Sequence, residues 1–76
     1  MSPEALLDIL DRAAEAQHRK VLALARRAVP DLTEDDLKNP DDHPVLHHDP
    51  RFNYEDGILA GLRSAAAALR AALREG

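Results

Sequence analysis

Residues 3–29 read PEALLDILDRAAEAQHRKVLALARRAV. Within them Leu7, Leu10, Ala14, Gln17, Val21, Leu24 and Ala28 recur at alternating spacings of three and four. That is the heptad of a helix showing one apolar seam to a partner helix. Ser2 suits the N-cap, and Pro3 suits the first helical position, where its missing N–H would be unpaired anyway. Glu4 lies by the positive end of the helix dipole, and Arg26 and Arg27 complement the negative end. Pro30 disfavours helical geometry in the residue before it. The spacing predicts a helix over about 3–29, roughly 40 Å long.

The apolar arc of this helix is wider than one seam. Leu6, Ile9, Ala13 and Ala16 form a second stripe in its first half, and Leu22, Ala25 and Val29 widen the other flank in its second half. One partner helix covers one seam, so a broad arc calls for two neighbours.

The last segment supplies one neighbour. Ile58, Leu62, Ala65, Leu69 and Ala72 form a stripe at spacings of four and three. Leu59, Ala66 and Leu73 widen it on one side, and Gly57, Gly61 and Ala68 on the other. Asn53 suits the N-cap and Asp56 the third helical position, which predicts a helix over about 53–75. Glycine inside a helix costs about 0.5–1 kcal/mol relative to alanine. Gly61 is therefore read as a place where another backbone approaches closely, the steric logic of small residues spaced four apart.

Between the helices, residues 30–52 contain Pro30, Pro40, Pro44 and Pro50. No long element survives that spacing of prolines. Thr33 followed by Glu34, Asp35 and Asp36 predicts a capped short helix to about Lys38. Asn39-Pro40-Asp41-Asp42 is turn chemistry. Asp49-Pro50-Arg51 has the form of a further cap and helical turn. Val45, Leu46 and Phe52 are the apolar anchors available to hold this connection down.

The expected fold is thus all-α: a single helical unit over residues 1–76, an antiparallel two-helix hairpin with a structured acidic connecting loop. Two features argue that it dimerises into a four-helix bundle. The first is the wide arc of the opening helix. The second is size: 76 residues without cysteine or tryptophan, and with one phenylalanine and one tyrosine, have little core of their own. Small chains of this kind rely on disulfides, metals or partner chains. The residues expected at an interface are Leu7, Leu10, Gln17, Val21, Leu24, Ile58, Gly61, Leu62 and Leu69. Gln17 is the one polar member of the opening seam, a position that can fix register or oligomeric state.

Charge narrows the function classes. The chain is acidic, with a formal charge of −4, and residues 31–56 alone carry a net −7. An acidic chain without a basic patch argues against nucleic-acid binding. No apolar run approaches the ~20 residues of a membrane span. Met1 onward lacks the basic and apolar regions of a signal peptide. A cytoplasmic protein is the expectation.

Chemistry-bearing residues cluster in the loop. His43, His47, His48 and Asp49 are ligand types for a divalent transition metal. That makes a metal-binding module, or a metal-dependent enzyme, the alternative reading. Pro44 directly after His43 argues against a regular helix through both His43 and His47. Glu4, Asp8, Asp11 and Glu15 line one helix face, where Asp8 can pair with Arg12 and Glu15 with Arg19. Ser2, Thr33 and Ser64 are the only aliphatic hydroxyls, and none sits beside a base in a nucleophile pattern. Glycine-rich phosphate loops are absent, and His18 reads as a rim residue. The primary expectation is a small non-catalytic interaction, scaffold or regulatory protein without cofactor, forming a homodimer. A heterologous protein docking on the second stripe of the opening helix is the other partner class.

Overall fold

The structure is a computed structural model covering residues 1–76. Two helices dominate it: α1, Pro3–Ala28, and α4, Pro50–Glu75. Between them run α2, Glu34–Leu37, a 3₁₀ turn at Pro40–Asp42, and α3, Pro44–His47. The long helices pack antiparallel as a hairpin measuring 43 × 20 × 17 Å. No helix is long and apolar enough to cross a membrane.

Capping follows the residue chemistry. The Ser2 hydroxyl accepts the Ala5 N–H at 3.1 Å. Thr33 and Asp36 form a reciprocal capping box at the start of α2, at 3.0 and 3.1 Å. The turn after α1 is closed by Arg26, whose Nε donates to the Leu32 carbonyl at 3.0 Å.

The start of α4 differs from the expectation at Asn53. Asp49 is the cap, accepting the Arg51 and Phe52 N–H groups at 2.9 and 3.3 Å. The turn anticipated at Asp49-Pro50-Arg51 and the helix anticipated from Asn53 are therefore one continuous element. Pro50 stands at its first position, where proline initiates rather than breaks. Pro3, Pro40 and Pro44 play the same part in their elements.

That earlier start brings Phe52 into the seam. The face of α4 turned to α1 is Phe52, Glu55, Leu59, Leu62, Ala66, Leu69 and Leu73, all buried or half-buried. This seam is rotated from the expected stripe through Ile58, Ala65 and Ala72, which lies at the edge and is exposed at those three positions. On α1 the seam is the expected one as far as Val21, with Leu7, Leu10, Ala14 and Gln17 half-buried and Val21 fully buried; toward the hinge Ala25 is buried, and Ala28 of the expected stripe is exposed.

The core sits at the hinge end of the hairpin. Val21, Ala25, Leu32, Leu46, Phe52 and Leu59 form one buried cluster, with Leu22, Val29 and Leu37 packed against it. The connecting segment thus folds back over the hinge and delivers Leu32 and Leu46 to it. The open end, where α1 begins and α4 finishes, has no such cover. Leu6 and Ile9 are 45% and 49% exposed there.

Candidate functional site

The expected histidine site is distributed rather than convergent. His47 Nδ1 lies 2.8 Å from Asp41 Oδ1, while His43 Nε2 lies 4.0 Å from Asp36 Oδ1. His48 stacks edge-on against His47, with ring centroids 4.9 Å apart. Asp49 is committed to capping α4. No three histidine or acidic side chains come together as a metal-holding group. Two local features divide the set: a helix start between His43 and His47, and the capping duty of Asp49. Pro44 starts one short helix after His43, and Pro50 starts α4 after Asp49. Neighbours in sequence are thereby sent toward different partners.

A second polar group lies across the hairpin. His18 Nε2 meets Glu34 Oε2 at 2.9 Å, and Arg63 Nη2 donates to His18 Nδ1 at 3.2 Å. A guanidinium donor at Nδ1 leaves the ring proton on Nε2, facing Glu34. His18 is therefore a tie joining α1, α2 and α4 rather than a rim residue. It borders an open cleft of about 350 Å³, whose floor includes Leu37 and Leu59. Glu15, Asp56 and Lys38 also line it. A carboxylate-oriented imidazole is half of a nucleophile-activating pair. Here its other nitrogen is taken by Arg63, and no hydroxyl or thiol lines the cleft. Arg70 makes a parallel tie, donating to both Asp11 carboxylate oxygens at 3.1 Å.

The third group lies part-buried between the long helices, with Glu55 as its buried member. Gln17 Nε2 donates to the Glu55 carbonyl at 2.8 Å and to Glu55 Oε1 at 3.0 Å. Lys20 Nζ meets Glu55 Oε2 at 2.9 Å. Gln17 and Glu55 are the polar members of the two facing seams, and they answer each other within one chain. Sliding either helix by a turn would strand a buried carboxylate among leucines, so the pair fixes the hairpin register. Glu55 is thus a buried carboxylate with a partner on each oxygen.

The Gln17 amide, and then Lys20, hold the Glu55 carboxyl below its ordinary value of 4.5. A depressed carboxylate contributes stability above its ordinary pKa and loses it as pH falls through the lower, folded-state value. Thermal melts between pH 7 and pH 3 should show this acid-side loss. Glu55→Gln should flatten that part of the profile, and an unchanged profile would remove Glu55 from the acid response.

The seam residues expected to join two chains are largely used inside one. Leu7, Leu10, Gln17, Val21 and Leu24 lie on the side of α1 turned to α4, and Leu62 and Leu69 are half-buried opposite. Ile58 and Gly61 remain exposed. They belong to the stripe and small-residue flank of α4 read from the sequence, and the single chain leaves them uncovered. From Asn53 to Ala72 the only exposed charges are Arg63 and Arg70, and both reach across to α1. The rest of the exposed surface there is uncharged, built from glycine, alanine, Ile58, Tyr54, Asn53 and Ser64. The outer face of α1 is the opposite case. Asp8–Arg12 and Glu15–Arg19 form solvent-facing ion pairs along it, at 3.0 and 3.6 Å.

No protein-family model matches the chain, and no curated protein or solved structure is significantly similar to it.

Proposed function

We propose that this is a non-catalytic interaction protein that works as a homodimer, two hairpins combining into a four-helix bundle. The observation that carries this reading is the uncharged exposed surface of α4, continuous with Leu6 and Ile9 of α1. A helix face that stays in water ordinarily carries charged residues opposite its buried stripe. Here they are missing over most of α4.

Surface area supports the same reading. The chain exposes 5242 Å². Folded monomers of 8.4 kDa expose about 4,600 Å² by the usual mass scaling. The excess, about 600 Å², approaches the ~800 Å² that each partner contributes to a standard interface. The polar groups elsewhere favour a structural role: His18, Gln17 and Glu55 tie helices together, and each loop histidine with a carboxylate neighbour has a different one.

The test is the concentration dependence of melting. A protein stabilised by association melts higher as its concentration rises, whereas a monomer does not. The expected result is a melting temperature that climbs between low micromolar and hundreds of micromolar protein. A constant melting temperature would overturn the homodimer.

A further inference from the structure

We infer that the second copy docks antiparallel on the outer face of α4, so that α4 packs on α4 at the centre of the bundle and the two α1 helices lie outside. This rests on the self-association reading above, and specifies which surface is used and in which direction.

The face is built for close approach. Gly57 and Gly61 have no atom within 4 Å of where a Cβ would stand. Nothing inside the chain therefore requires glycine at either position. A helix-interior glycine is nonetheless unfavourable by about 0.5–1 kcal/mol relative to alanine. Ala65, Ala68 and Ala72 continue the small-residue surface, and all are exposed. Helices meeting through such residues can approach to the low end of the usual range, about 8 Å between axes.

The same chain carries the matching ridges. Leu6 and Ile9 stand beside the C-terminal half of α4, and Ile58 and Tyr54 lie in its N-terminal half. These are four of the six large apolar side chains left exposed. An isologous contact requires one surface to complement itself. In an antiparallel pair, Leu6 and Ile9 of one copy meet Ile58 and Tyr54 of the other, with the glycines and alanines between. A parallel pair sets Leu6 and Ile9 against their own counterparts and leaves Tyr54 and Ile58 doing the same.

Charge selects the same direction. Residues 31–56 carry a net −7 and residues 57–76 a net +2. Antiparallel docking keeps the two acidic hinges at opposite ends of the pair, each beside the partner's open end, where Arg70 is already paired with Asp11. Parallel docking sets two acidic hinges side by side. The dipoles of the two α4 helices also oppose one another in the antiparallel arrangement.

The uncharged face runs from Tyr54 to Ala72, which puts the two-fold axis level with Arg63. At 1.5 Å per residue, the two copies of Ala65 are then about 6 Å apart along the helix and those of Ala72 about 27 Å apart. Only the first pair is within reach of a disulfide. The chain has no cysteine, so Ala65→Cys, Ala72→Cys and Ala23→Cys each carry one thiol, at positions that are exposed in the hairpin. Ala23 lies on the outer face of α1.

Under mild oxidation, Ala65→Cys should give a covalent dimer at low protein concentration, while Ala72→Cys and Ala23→Cys should not. Cross-linking of both Ala65→Cys and Ala72→Cys would mean parallel docking and overturn the inference. Cross-linking of Ala23→Cys alone would move the interface to α1 and overturn it as well. If none links while the wild-type melting temperature still rises with concentration, the inference falls and self-association stands. If none links and melting is independent of concentration, both fall.

Discussion

Phe52→Ala should be the most damaging single truncation in this chain. Phe52 is 1% exposed and is the largest side chain in the hinge cluster. It is also the residue that only the early start of α4 brings inward. Phenylalanine-to-alanine changes in a core cost about 3–5 kcal/mol. A 76-residue protein has a total stability of roughly 4–11 kcal/mol at typical per-residue values. The substitution should therefore lower the melting temperature by about 15–30 °C, the usual conversion for a chain of this size. Leu10→Ala, at the half-buried open end, should cost about 1–2 kcal/mol, in proportion to the smaller apolar area it keeps from water. Circular dichroism melts of both variants give the comparison. Equal losses would mean that the core is spread evenly along the hairpin rather than gathered at the hinge.

Ala65→Glu should separate the copies without harming the hairpin. Ala65 is exposed in the single chain, and glutamate is a good helix former, so helicity and the hinge core should survive. In the antiparallel pair each copy would bring one carboxylate into the α4–α4 contact. The two would stand close together and without basic partners, because Arg63 and Arg70 are turned to α1. Stranding an unpaired charge in a buried contact costs about 3–5 kcal/mol. The self-dissociation constant should rise by more than about 100-fold. Sedimentation equilibrium measures that constant, and far-ultraviolet circular dichroism checks the helices. A dissociation constant unchanged by Ala65→Glu would place the contact elsewhere. The same substitution made at Ala23 is the control and should change little.

Much of α1 was legible in the sequence because independent local signals agree there. A serine cap, a proline at the first position, a sustained heptad and two terminal arginines all point to one helix with one seam. The α2 cap was legible for the same reason, since Thr33 and Asp36 satisfy each other within four residues. The beginning of α4 was harder to read, because two candidate caps, Asp49 and Asn53, lie one turn apart. Asp49-Pro50-Arg51 has the form of a separate turn, whereas it begins the long helix itself. That one turn adds Phe52 to the stripe of α4 that runs through Leu59, Leu62 and Ala66. Phe52 and Leu59 pull the seam round, and Ile58, Ala65 and Ala72 are released to the edge.

The polar pairings were the least legible. Gln17 and Glu55 are 38 positions apart, and their match exists only in the antiparallel register. His18 was in view, but its partners Glu34 and Arg63 come from two other elements. The loop histidines show the converse. Closeness in sequence suggested a ligand set, but Pro44 separates His43 from the others and Asp49 is taken up in capping α4. One signal was present in the sequence and carried more than the heptads did. Along α4 the surface positions that would ordinarily be lysine or glutamate are glycine and alanine.

The most direct test of this account is native mass spectrometry of the full, untagged chain at micromolar concentration. The expected principal species lies at twice the 8.4 kDa chain mass. The Ala65→Glu variant should revert to a single chain. A wild-type protein that remains at the mass of one chain across the accessible concentration range would contradict it.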